Sequence, residues 1–151
     1  MEVTEQFIEI LLADDDADDR GFFQDALRDS GIPANLTMVV DGEKLTDYLA
    51  TIKHPPPPDV IFLDINMPYK DGKVCLREIR NNKKFYKVPI IMFSTSTFEG
   101  DIEETFQCGA NLYLSKAEFF ENDVNILKRL FSKNWRENLI NFTKEQFFVL
   151  S

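Results

Sequence analysis

The sequence predicts an α/β protein built on a doubly wound parallel sheet, and three observations predict it. Five apolar runs of strand length recur along the chain, at 7–13, 36–40, 60–63, 89–94 and 111–115. The segments between them carry apolar residues at helical spacing. Several of the runs stop at a charged or hydroxyl residue, as strands do when they deliver side chains to one carboxyl-terminal sheet edge. Short runs rich in Val, Ile and Phe suit strands buried on both faces. Strands that alternate with helices pair in parallel, with the helices covering both faces of the sheet.

The elements follow in order. Phe7 to Ala13 leads directly into Asp14, Asp15 and Asp16. Residues 17–30 then carry Phe22, Phe23, Ala26 and Leu27, and Gly31-Ile32-Pro33 stops that helix. Asp16, Asp18 and Asp19 sit where acids cap or start a helix, and that role is assigned to them ahead of any metal role. After the second run, Asp41-Gly42 turns the chain into a helix with Leu45, Leu49 and Ile52. Pro55 to Pro58 reads as a stiff polyproline lead into the third run. That run, Val60 to Leu63, ends at Asp64. Pro68 cannot continue a ladder, so a loop follows. The next helix starts near Lys73, carries Leu76, Ile79 and Arg80, and frays into Asn81-Asn82-Lys83-Lys84. The fourth run closes in Ser94-Thr95-Ser96, and a helix over 99–108 carries Ile102 and Phe106 before Gly109 caps it. The fifth run leads to Lys116. A last long helix over about 118–133 sets Val124, Leu127, Leu130 and Phe131 on one stripe.

Right-handed crossovers leave few topologies for such a chain. The flavodoxin-like strand order 2-1-3-4-5, in a single domain, puts strands one and three side by side with a site at their switch point. Asp14, Asp15 and Asp64 then converge on one edge. Two carboxylates at ~4 Å repel by ~1 kcal/mol in water and ~4 kcal/mol at an effective dielectric of 20. Such a cluster must protonate or hold a cation. Hard oxygen donors suit magnesium, which takes one or two carboxylates and keeps other positions for water and a phosphate.

The bulk composition narrows the function classes. Seventeen Lys and Arg stand against 26 Asp and Glu, for a net charge of −9. No basic stripe is present, so direct nucleic-acid binding is not expected. No apolar stretch approaches the ~20 residues of a membrane helix, and the acidic start Met1-Glu2-Val3-Thr4-Glu5 is unlike a signal peptide. A cytoplasmic protein is expected. Cys75 and Cys108 have no ligand spacing and only His54 as an imidazole partner, so both read as buried structural thiols. Asn35-Leu36-Thr37 and Asn141-Phe142-Thr143 match a glycosylation pattern that has no bearing on a cytoplasmic chain.

Further polar positions close the remaining strands or follow them: Ser94 the fourth, Lys116 the fifth, with Tyr113 inside the fifth and Asn66 two residues beyond Asp64. With these in order, residues 7–133 resemble the receiver domain of two-component response regulators. The Ser94-Thr95-Ser96-Thr97 and Leu-Asp-x-Asn-x-Pro wording is most similar to small stand-alone receivers of the phytochrome-associated type. The resemblance implies Asp64 as phosphoryl acceptor and Asp15 and Asp64 as side-chain ligands of magnesium. It further implies Asn66 as a main-chain ligand and Asp14 as a ligand acting largely through water. Lys116 would pair with Asp64 or its phosphate, Ser94 would bond a phosphoryl oxygen, and Tyr113 would be the aromatic that changes rotamer. The implied partners are a histidine kinase or phosphotransfer protein and an unnamed downstream protein. Taken alone, Lys116 reads as a solvated lysine, Ser94 as a strand-end hydroxyl and Tyr113 as an ordinary core or surface aromatic.

Two departures from the family pattern stand out. Where the family has Lys-Pro with a cis bond, this chain has Lys116-Ala117. A cis bond to a non-proline residue costs ~3–4 kcal/mol, so a trans bond is expected, with the lysine still reaching Asp64. Residues 134–151 extend past the receiver and are too few for an output domain; their aromatics either pack back on the domain or form a homodimer or partner surface. The alternatives are a magnesium-dependent aspartyl-phosphate phosphatase or phosphotransferase, and a pseudo-receiver that is never phosphorylated. The first usually needs an acid where this chain has Asn66; Ala117 is the main feature favouring the second.

Overall fold

The computed structural model of the protein describes residues 6–51 and 57–141. The expectations for Ile52, His54, Pro55 and the tail residues 142–151 lie outside these described residues. The chain runs β1 (Ile8–Ala13), α1 (Ala17–Ser30), β2 (Ala34–Val39), α2 (Gly42–Thr51), β3 (Val60–Leu63) and α3 (Gly72–Arg80). It continues through β4 (Ile90–Ser94), α4 (Glu99–Gln107), β5 (Leu112–Ser115), α5 (Lys116–Glu121), α6 (Asp123–Leu130) and α7 (Trp135–Ile140). The five strands form one parallel sheet in the order β2-β1-β3-β4-β5.

Each central strand alternates between two cores, as the two-residue period of a strand requires. Leu11, Ala13, Ile61, Leu63, Ile90 and Met92 face a layer that includes Leu45, Leu76 and Ile79 of α2 and α3. Ile10, Leu12, Val60, Phe62, Ile91 and Phe93 face the opposite layer, with Phe23 of α1, Phe119 of α5 and Leu127 of α6. Four rings knit that second layer: Phe23 to Phe62 at 4.8 Å, Phe93 to Phe119 at 5.0 Å and Phe23 to Phe93 at 5.7 Å between centroids. Such aromatic pairs add roughly 0.5–1.5 kcal/mol beyond their burial. Phe22, in contrast, lies on the outer side of α1 and is more than half exposed.

The helix ends follow local chemistry. Asp16 caps α1, its side chain accepting from the Asp19 N–H, and Gly31 closes it at φ 73°. Asp71 caps α3 by accepting from the Val74 N–H. Gly109, at φ 102°, follows α4 in the left-handed region.

The single long helix expected over 118–133 is not formed. The chain enters α5 already at Lys116, breaks at Asn122 (φ −151°, ψ 41°) and restarts as α6. The Asn122 carbonyl accepts from the Ile126 N–H while its side-chain oxygen accepts from Asn125. Asn122 is both the residue that ends α5 and the one that starts α6, with no side-chain cap bond to either helix. The restart changes the buried stripe: Ile126, Leu127 and Leu130 are buried, whereas Val124 is only half-buried. Beyond α6, α7 folds back so that Leu139 joins the second core at 1% exposure and Trp135 packs on Phe131 at 5.1 Å.

Candidate functional site

The site is set by the register of the central strands. Ala13 of β1 pairs with Leu63 of β3, and the Asp64 N–H donates to the Ala13 carbonyl at 3.0 Å. The residues that follow these strands, Asp14 and Asp64, therefore sit next to each other at the carboxyl edge. Asp14, Asp15 and Asp64 each present a carboxylate oxygen within 4.8 Å of the others. Asp14 and Asp64 are buried, while Asp15 is exposed and opens the cluster to solvent.

Lys116 completes the group. As the first residue of α5 it projects back over the sheet, itself only 4% exposed. Its ammonium lies 3.0 Å from Asp64 Oδ2, 2.9 Å from Asp14 Oδ2 and 2.8 Å from Asp19 Oδ2, with the Phe93 ring centroid at 5.6 Å. No cis peptide bond occurs among the described residues, so the Lys116–Ala117 bond is trans and the lysine reaches Asp64 from that geometry.

The electrostatics are those of charge withheld from water. Burial raises the Asp64 carboxyl to about 6, against the opposing pull of the Lys116 ammonium. Burial also raises Asp14, partly offset by the hydrogen bond from the Asp16 N–H and by the nearby Lys116 ammonium. For Lys116, burial acts to lower the ammonium pKa, but Asp19, Asp14 and Asp64 together outweigh it and hold it above the ordinary lysine value. Asp14 Oδ2 contacts the ammonium as an ion pair outside hydrogen-bond geometry, so this buried oxygen keeps an unfilled acceptor position. A buried carboxylate oxygen with spare lone pairs, beside two more carboxylates, fits a hard divalent cation.

Asn66 borders the cluster, its N–H donating to Asp64 Oδ1 at 3.4 Å. Ser94 and Tyr113 come together with each other rather than on Asp64. The Ser94 hydroxyl oxygen accepts from the Ser96 N–H at 3.2 Å, and the Tyr113 hydroxyl donates to the Ser96 carbonyl at 2.8 Å. Tyr113 is buried, its hydroxyl pKa raised by that burial.

Three positioning residues escaped the sequence reading. Asp19 reads as a helix-start acid, and it is one, yet its side chain also reaches Lys116. Gly72 passes so close to the Asp64 carbonyl that a Cβ there would stand 2.0 Å from it; the signal was the Asp71-Gly72 pair at a helix start. Ser96 ties the loop after β4 to α4 by donating to Asp101 Oδ2 at 2.6 Å, and Asp101 in turn pairs with Lys73 of α3 at 2.6 Å.

Residues 10–128 match the family model of the response regulator receiver domain. The chain belongs to that family. The response regulator Rcp1 of Synechocystis sp. is 32% identical over 111 residues, which cover 72% of this chain and 76% of Rcp1. The structure of this receiver resembles manganese-bound Rcp1 with a TM-score of 0.75 at 28% identity, covering 84% of this chain and 96% of that one. It also resembles the phosphorylated cyanobacterial phytochrome response regulator RcpA, with a TM-score of 0.72 at 29% identity over 83% and 94% of the two chains. The receiver domain of sensor histidine kinase PA1611 from Pseudomonas aeruginosa, with magnesium coordinated in its active-site cleft, gives 0.68 at 30% identity over 87% and 99%. Among the described residues, no helix is long and apolar enough to cross a membrane.

Proposed function

We propose that this receiver works as a stand-alone, cytoplasmic response regulator that takes a phosphoryl group on Asp64 from the phosphohistidine of a histidine kinase or phosphotransfer protein. The observation that carries the reading is the Lys116 ammonium at 3.0 Å from Asp64 Oδ2, beside two further carboxylates with oxygens free for a metal. In the transfer, an Asp64 carboxylate oxygen forms the new bond to phosphorus as the donor nitrogen–phosphorus bond breaks. The electron pair stays on the imidazole. Magnesium, held by Asp14, Asp15, Asp64 and the main chain of Asn66, would neutralise charge on the transferring group. Lys116 follows the phosphoryl oxygens by exchanging its Asp64 contact for them, and Ser94 supplies a hydroxyl donor. Positioning and charge neutralisation are most of what phosphoryl transfer asks of a protein.

Output runs through the loop after β4. A Ser94 hydroxyl recruited to the phosphoryl group leaves Ser96, whose carbonyl holds Tyr113. The face formed by α4, β5 and α5 then changes and biases a partner protein. The chain modifies itself and does not turn over an external metabolite. The manganese and magnesium bound by similar receivers, and the phosphorylation of RcpA, support this reading.

Incubation with acetyl phosphate and magnesium, followed by intact mass, tests it. One added phosphoryl group that is lost in Asp64→Asn is expected. No added mass, or labelling that survives the substitution, overturns it.

A further inference from the structure

The Lys116 ammonium donates hydrogen bonds to Asp19 and Asp64 and makes an ion pair with Asp14. The carboxylates grouped tightly enough to share a metal are Asp14, Asp15 and Asp64. The two sets differ in one member of each, and Asp19 is the lysine partner outside the metal set. When Asp14 and Asp64 turn to a metal and a phosphoryl group, Asp19 is the partner that stays available to Lys116.

We propose that Asp19 is a positioning residue that anchors the Lys116 ammonium through phosphoryl transfer. The inference rests on the phosphoryl-acceptor reading of Asp64. Lys116 carries its ammonium on a flexible stem, which a side-chain clamp restricts. Asp19 suits the task because its own backbone is fixed: its N–H donates to the capping carboxylate of Asp16 at 3.0 Å, one turn into α1. The contact it makes across to Lys116, at 2.8 Å, is the shortest of the three. It joins α1 to the start of α5 over a sequence separation of 97 residues. The Phe93 ring centroid lies 5.6 Å from the ammonium, and Lys116 as a whole is only 4% exposed.

The test compares wild type with Asp19→Ala, and with Asp19→Asn should the alanine variant fail to fold. With excess acetyl phosphate and magnesium, labelling of Asp64 slows roughly tenfold in the variant, the scale on which removing a supporting partner acts. The magnesium dissociation constant measured by calorimetry stays within about twofold, because Asp19 is not a ligand. In nitrogen-15 lysine spectra of the magnesium-bound protein, the slowly exchanging Lys116 ammonium signal, assigned by its absence from Lys116→Arg, is present in wild type and lost in the variant. Wild-type labelling rate in the variant, a parallel fall in magnesium affinity, or a retained ammonium signal overturns the proposal. Failure of wild type itself to be labelled overturns the acceptor reading instead, and the ammonium signal still decides the anchor.

Discussion

Lys116 and Asp64 form a buried ion pair, Nζ to Oδ2 at 3.0 Å, in which the acid carries the larger cost. Burial holds the Asp64 carboxyl at about 6 even with the ammonium beside it. Between about pH 4 and pH 6 the folded chain therefore keeps a proton that the unfolded chain has released. Native protonation exceeds unfolded protonation in that window, so stability falls as pH rises through it.

The size follows from the shift: about two pKa units correspond to roughly 3 kcal/mol, lost by neutral pH in the metal-free protein. Asp14, also raised by burial, acts with the same sign. Asp64→Asn removes the titration and is expected to flatten the profile, leaving the metal-free variant more stable than wild type at neutral pH. Urea unfolding in a chelator across this pH range measures it. Parallel profiles for the two proteins would show that Asp64 is not the titrating group. Added magnesium should restore wild-type stability above about pH 6, where the metal no longer competes with the proton.

Gly72 is a second point at which the backbone governs the site. A Cβ there would lie 2.0 Å from the Asp64 carbonyl oxygen and 2.8 Å from Ile65 Cα, both backbone atoms that cannot swing aside. Gly72→Ala is expected to displace the turn after β3, to cost about 1–3 kcal/mol as overpacking does, and to weaken magnesium binding roughly tenfold. Gly21→Ala serves as the contrast. No atom lies within 4 Å of its added Cβ, and in the body of α1 it should stabilise by about 0.5–1 kcal/mol. Calorimetric magnesium titration of both variants separates the site effect from the helix effect.

These residues mark how far the sequence could be read. Asp14 and Asp64 are legible because two apolar strands run directly into acids, and a parallel sheet must bring such ends to one edge. The strand order follows from the same alternation. The contact of Asp19 with Lys116 is not legible, since an acid at a helix start already has a sufficient local explanation and the partner is 97 positions away. The break at Asn122 hides for a different reason: Val124, Leu127, Leu130 and Phe131 all follow it, so their helical spacing says nothing about the junction. Asn122 lies with non-helical backbone between two helices whose buried residues share one core, and asparagine is an indifferent helix former that marks no definite stop in a sequence.

Ser96 offers a third prediction. Its hydroxyl donates to Asp101 and accepts from the Phe98 N–H, while its carbonyl receives Tyr113. Asp101 is held below the usual carboxylate range by Lys73 first and Ser96 second. Ser96→Ala removes both hydroxyl bonds and keeps the carbonyl. Hydrogen bonds to charged groups contribute about 1.5–3 kcal/mol, and partial exposure places this one at the low end. The amides of Asp101 and Ile102, in the first turn of α4, should exchange roughly tenfold faster with deuterium in the variant. Unchanged protection there would mean that the ion pairs of Lys73 and Arg77 with Asp101 and Glu104 hold α4 without the Ser96 bond.

The last prediction concerns where the folded unit stops. Leu139 is 1% exposed within the core shared by Phe62, Leu127 and Leu130, although it lies beyond the receiver boundary expected at 133. Arg136 of the same helix pairs with Asp59 ahead of β3, and Trp135 covers Phe131. Leucine-to-alanine changes at such buried sites cost about 2–5 kcal/mol, because the transfer energy is lost and a cavity remains. If α7 is part of the cooperative unit, Leu139→Ala lowers the urea midpoint by that amount in one transition with an unchanged slope. Ile140→Ala, at an exposed neighbouring position, should change it by less than about 0.5 kcal/mol. Equal effects at the two positions would place α7 outside the unit, with α6 as the last helix that the core requires.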